Sequence, residues 1–183
     1  MILKNIRNTP DSFGWLARLF HWLMAVMIIG LLGVGLWMTD LEGQLKYDIY
    51  GVHKALGIVV LMLVLPRLLW RWSNPTPTLP DHMDMIQRFT YHSVHICLYL
   101  AMFVMPLSGW AMSSAGGYPV SIFGLFTLPP LVDKSKELGA LFHSIHEYIG
   151  YALMAALLAH IGAALLHHFF YEDNILRRML KGQ

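Results

Sequence analysis

Ten histidines in a chain of 183 residues, 56% of them hydrophobic, are the side chains that demand a chemical explanation. An imidazole inside hydrocarbon is costly, so it either bonds a neighbouring helix or headgroup or does chemistry. Four of the ten are set apart by spacing: His21, His53, His146 and His160. His146 and His160 share one apolar stretch, and the fourteen residues from 146 to 160 span about 21 Å, close to four helical turns. Both rings therefore leave one face of one helix at two depths. His21 sits at the depth of His160, and His53 at the depth of His146. Paired imidazoles bind haem iron as well as zinc, nickel or copper, so spacing alone does not choose the metal. The neighbours help choose. Ala25, Gly57, Gly150 and Ala164 stand four residues after the four histidines, on the same helix face, which leaves room for a flat macrocycle. His82, His92, His95, His143, His167 and His168 are followed at that position by Ile86, Ile96, Tyr99, Glu147, Tyr171 and Glu172. A bare zinc site needs no such slot and prefers four clustered ligands. Two bis-histidine haems fit better. The single cysteine, Cys97, rules out an internal disulfide and a Cys-x-x-Cys-His haem attachment.

The elements that must position these rings are membrane helices. Charged residues are only 13% of the chain, about half the share of a soluble domain, and the mean hydropathy is +0.52. Residues 19–39 and 148–171 carry no charge and are each long enough to cross a bilayer. Residues 89–132 are also uncharged, but Ser113-Ser114-Ala115-Gly116-Gly117-Tyr118-Pro119 and Pro129-Pro130 break the pattern, giving one helix and then a long irregular loop. The stretch 49–70 is a fourth crossing whose Lys54 and Arg67 lie near its ends, where long side chains snorkel. The expected spans are thus about 15–39, 49–70, 90–113 and 143–171, in a single transmembrane domain covering 1–183. Lys4, Arg7, Arg18, Arg67, Arg71, Arg88, Arg177, Arg178 and Lys181 fall on the side of the termini, against Lys46, Lys54, Lys134 and Lys136 on the other. The positive-inside rule then puts both termini in the cytoplasm. The first apolar run is too long for a signal-peptide core and is expected to be retained. A net charge of +2 offers no surface for nucleic acid.

An ordered set of short motifs runs along the chain: Leu19-Phe20-His21-Trp22-Leu23, Gly51-Val52-His53-Lys54, Pro66-Arg67-Leu68-Leu69-Trp70-Arg71 and Asn74-Pro75-Thr76-Pro77. His92-Ser93-Val94-His95 with Tyr99, Pro106 and Gly109 follows, then His146-Glu147, and finally His167-His168-Phe169-Phe170-Tyr171 with Asp173-Asn174. In this set and its spacing, the chain resembles the bacterial cytochrome b561 proteins, in particular members described as superoxide:ubiquinone oxidoreductases. The resemblance covers almost the whole chain. It implies an all-α, integral membrane four-helix bundle with two haem b groups, one near each face, in the bacterial inner membrane. The family's four ligands map onto His21, His53, His146 and His160, with His21 paired to His160 and His53 to His146. His92 and His95 match family positions that do not ligate iron, which leaves interfacial hydrogen bonding, a propionate contact or a quinone hydrogen bond. Arg18, Lys54, Arg67 and Arg71 stand where they could offset propionate charge. His167 and His168 read as headgroup residues, and Pro106 as a tolerated kink.

Two axial histidines leave iron no position for a substrate, so the chemistry expected is outer-sphere electron transfer between an outer-face donor and ubiquinone. Superoxide is the donor the resemblance implies. An anion gains from positive charge at the outer surface, for which Lys54, Lys134 and Lys136 are the candidates. Those lysines and Lys46 are outnumbered by Asp40, Glu42, Asp48, Asp133, Glu137 and Glu147, which argues mildly against superoxide. Two alternatives stand beside this oxidoreductase reading. One is a haem b membrane anchor of a dehydrogenase or hydrogenase, or a partner of a periplasmic redox protein. The other is a metal or proton carrier without haem.

Overall fold

The computed structural model describes residues 6–182; Lys4, counted above with the cytoplasmic charges, lies outside them. Four long helices make the frame: α1 Trp15–Trp37, α2 Gly43–Trp72, α3 Met85–Ala115 and α4 Lys136–Phe169. All four are long and apolar enough to cross a membrane. A short 3-10 turn, Met38–Asp40, joins α1 to α2, and a six-residue helix, α5 Ile175–Leu180, follows α4. The result is an all-α membrane bundle. Its outer surface is apolar, as lipid requires, with Val26 71% and Leu158 73% exposed.

The helices extend past the uncharged stretches because polar caps lie beyond them. Asp84 accepts from the Gln87 backbone N–H and Gln87 returns a bond to the Asp84 N–H, so α3 starts at Met85 rather than near 90. Ser135 accepts from the Leu138 N–H and starts α4 at Lys136 rather than 143. Pro66 and Pro106 both stay inside continuous helices.

The loop after α3 differs from the irregular segment expected. It holds an antiparallel hairpin, β1 Val120–Ile122 and β2 Phe126–Leu128, turned through Phe123 and Gly124 at positive φ. Turn residues and alternation, too short to read in the sequence, suffice because Val120 and Ile122 bury against Ile58 of α2. The hairpin thereby closes one end of the bundle. At the other end, Asn8 donates to the Pro75 carbonyl, Arg178 to the Thr78 carbonyl and Trp22 to the Met179 carbonyl, which ties both chain ends to the α2–α3 connection.

Between the ends lies an apolar core of Met24, Ile28, Val60, Val64, Met102 and Leu153. α1 packs on α2, α2 on α3, and α3 most extensively on α4, whereas α4 has no comparable packing with α1 or α2. A gap therefore separates α4 from the first two helices. Removing the α3 cap with Asp84→Ala is expected to cost about 1 kcal/mol. Thermal unfolding of the detergent-solubilised protein should show a lower Tm, and an unchanged Tm would contradict the capping account.

Candidate functional site

The gap is bridged at two levels by imidazole pairs. At the hairpin end, His53 of α2 faces His146 of α4 with ring centroids 6.5 Å apart. At the terminal end, His21 of α1 faces His160 of α4 at 6.1 Å. Two imidazoles bound on opposite sides of one metal, at about 2 Å each with roughly 1 Å from nitrogen to ring centre, have centroids about 6 Å apart. Both pairs meet that separation.

The hairpin-end pair is organised from α3. His146 Nδ1 lies 3.0 Å from the Met105 carbonyl oxygen and 3.1 Å from the Ser108 hydroxyl. A carbonyl only accepts, so Nδ1 carries the proton and Nε2 keeps its lone pair. That is the tautomer a metal-ligating histidine adopts when its other N–H rests on a backbone carbonyl. Gly109 makes this possible, since a Cβ there would stand 3.0 Å from His146 Cε1. His53 Nδ1 is buried without a partner. A cavity lies between the two rings, walled by Ile28, Gly57, Val60, Met102, Pro106 and Leu153.

The terminal-end pair has a polar frame. His95 of α3 stands edge-on to His160 at 5.1 Å and gives its own Nδ1–H to the Tyr91 carbonyl at 2.7 Å. Arg67 Nη2 lies 3.1 Å from His21 Nδ1. A guanidinium only donates, so His21 carries its proton on Nε2 here, and ligation through that nitrogen requires Arg67 to release Nδ1. Arg67 and Arg71 both lie over the Tyr99 ring, at 5.6 and 5.7 Å. A second cavity is lined by His21, Arg67, Arg71, Trp70, Tyr99 and Met179.

The structure thus brings His53 and His146 to one cavity and His21, Arg67 and Arg71 to the other, while His160 faces His21 without lining either. Arg18 lies outside them and donates to the Leu180 carbonyl at 3.0 Å. Lys54 is tied to the loop after α3, at 2.8 Å from the Pro119 carbonyl and 3.3 Å from the Ser113 hydroxyl. Lys134 reaches the same segment, its ammonium lying where a side chain on Gly117 would stand. Lys136 is exposed on the first turn of α4. Of the four small residues spaced after the histidines, only Gly57 lines a cavity; Gly150 is buried against the Met105 methyl group. Sequence reasoning missed the roles of Gly109 and of His95 beside His160. For His95 there was a signal, because Tyr91, His95 and Tyr99 repeat at four-residue spacing along one helix face. His167, read as a headgroup residue, is instead buried and bonded to Asp173.

Residues 12–182 match the family profile of prokaryotic cytochrome b561. The chain is similar to cytochrome b561 homolog 2 of Escherichia coli K12, at 34% identity over 94% of this chain and 93% of that protein. It is similar to cytochrome b561 homolog 1 of the same organism, at 36% identity over 70% of this chain and 72% of that protein. It also resembles the probable superoxide oxidase CybB of Yersinia pestis, at 30% identity over 87% of this chain and 90% of that protein. A helical frame of four crossings, facing imidazoles and a profile spanning nearly the whole chain agree: it belongs to the prokaryotic cytochrome b561 family, multi-pass membrane electron-transfer proteins that bind haem b.

Proposed function

We propose that residues 1–183 form one dihaem b domain of the bacterial inner membrane, with both termini cytoplasmic, that carries electrons from a donor at the hairpin end to ubiquinone. The observation that carries this reading is the two imidazole pairs, 6.1 and 6.5 Å apart, on helices that leave a gap between them. His53 with His146 would hold one haem and His21 with His160 the other. Haem b supplies reversible one-electron chemistry when bound.

The protein's own residues set the terms of that chemistry. With His53 and His146, or His21 and His160, holding it, the iron would offer substrates no position, so exchange with donor and acceptor would be outer-sphere. Met105 and Ser108 fix the His146 ring, and Ile28, Val60, Met102 and Leu153 line the hairpin-end cavity with apolar side chains. Arg67 and Arg71, held over Tyr99, place two cations at the terminal-end cavity, where they offset carboxylate charge once Arg67 releases His21. Lys54, Lys134 and Lys136 raise the local concentration of an anionic donor. With superoxide as that donor, each anion gives up one electron and leaves as dioxygen. Two such electrons and two protons from solvent convert one quinone to its quinol. Support for superoxide is the name of the Yersinia pestis relative. A second reading, an electron relay for a cationic protein partner, is favoured by the surplus of acids over lysines at this end.

Haem content tests the ligand set. His53→Ala and His146→Ala should each lose the same haem, and His21→Ala and His160→Ala the other, as read from pyridine haemochrome and redox titration; loss of neither would remove the reading. Gly109→Val should displace His146 and lower haem content by one equivalent while the second titrating centre stays, and two retained haems would contradict the packing account. In stopped flow, superoxide should reduce the bound haem rapidly, and neutralising Lys54, Lys134 and Lys136 to Gln should slow this by about tenfold at low salt. Absence of reduction by superoxide would leave the protein-partner reading in place.

A further inference from the structure

Outside both cavities, on the terminal side of the bundle, three side chains from three segments converge. His82 comes from the α2–α3 connection, His167 from the last turn of α4, and Asp173 from the turn into α5. One nitrogen of each ring and one carboxylate oxygen all lie within 4.8 Å of one another. We propose that His82, His167 and Asp173 form a binding site for a borderline divalent transition-metal ion, of which zinc is the representative.

Geometry separates this from a simple hydrogen-bonded lock. The lock is complete without His82: His167 Nδ1 donates to Asp173 Oδ2 at 2.5 Å, the Asp173 N–H donates to the His167 carbonyl, and Asp173 Oδ1 accepts from the Ile175 N–H. His82 Nε2 stands 3.5 Å from the same Oδ2, beyond the usual reach of an N–H···O bond. That separation is close to the roughly 3.3 Å edge of a tetrahedral site with bonds of 2.0–2.1 Å, and the closer His167–Asp173 pair would have to open to the same edge to take an ion. His82 is nonetheless held in place, stacked on the Tyr171 ring at a centroid distance of 5.4 Å and an interplanar angle of 26°. The His167 and Asp173 side chains are each 8% exposed, while His82 is 43% exposed and leaves one side open to solvent. Two imidazoles and one carboxylate suit zinc, with a water in the fourth position; calcium and magnesium want an oxygen cage. A bound ion would take the place of the proton that His167 shares with Asp173. It would fasten the α2–α3 connection to the end of α4.

The test uses untagged, full-length, haem-loaded protein in detergent, titrated with zinc chloride against a weak chelator, with metal content measured after dialysis. The expected result is one tightly held equivalent in the wild type that His82→Ala weakens by at least about tenfold, with the haem spectrum unchanged. Because His82 lies outside the His167–Asp173 lock, this variant keeps the fold. Asp173→Asn should also weaken zinc, and added zinc should raise the Tm of the wild type but not of His82→Ala. No saturable equivalent, or equal zinc affinity in wild type and His82→Ala, would overturn the proposal.

Discussion

The spacing between α4 and the first two helices governs this molecule. A membrane bundle gains little from burying apolar surface in an already apolar solvent, so close helix packing is its main source of cohesion. α4 forgoes that packing against α1 and α2 and rests on α3 instead. Across the resulting gap α4 reaches the core through Leu153 between the two levels, and at those levels imidazole centroids stand 6.1 and 6.5 Å apart. A flat group gripped from both sides would fill such a gap and restore contacts the helices lack, which would make cofactor binding and bundle cohesion one interaction.

The polar groups inside the bundle follow from the same arrangement. A buried histidine leaves a second nitrogen to satisfy, and the structure answers differently for His146 and for His21, while His53 Nδ1 has no partner. Near the hairpin the answer is backbone: the Met105 carbonyl orients His146, and the bare Cα of Gly109 lets the ring approach α3. Near the termini the answer is a side chain, with Arg67 on His21, and His95, tilted against Tyr91, stands edge-on to His160. One level is lined by apolar side chains, the other by two arginines and Met179 of α5. Two chemically equal metals placed in them would differ in potential, because burial and nearby charge are what tune such groups.

Much of this frame was legible in the residues. Charge-free stretches marked the crossings, and the fourteen-residue interval from His146 to His160 placed both rings on one helix, where α4 carries them opposite His53 and His21. Helix ends were less legible, since Asp84 and Ser135 extend α3 and α4 by polar capping beyond the apolar runs that a bilayer dictates. The hairpin at Val120–Leu128 was invisible because its strands are three residues long and are stabilised by Ile58, distant in sequence. Small residues after the histidines pointed to a slot, and only Gly57 lines one; the glycine that cradles a ring, Gly109, sits on a different helix from that ring. Contacts between helices are what a single sequence encodes least directly.

The measurement that bears most directly on the paired-imidazole account is electron paramagnetic resonance of the oxidised wild-type protein at low temperature. Two separate low-spin ferric signals, both of the bis-imidazole kind and together accounting for two irons per chain, are the predicted result. A single haem signal, or a high-spin signal from iron with an open coordination position, would contradict it.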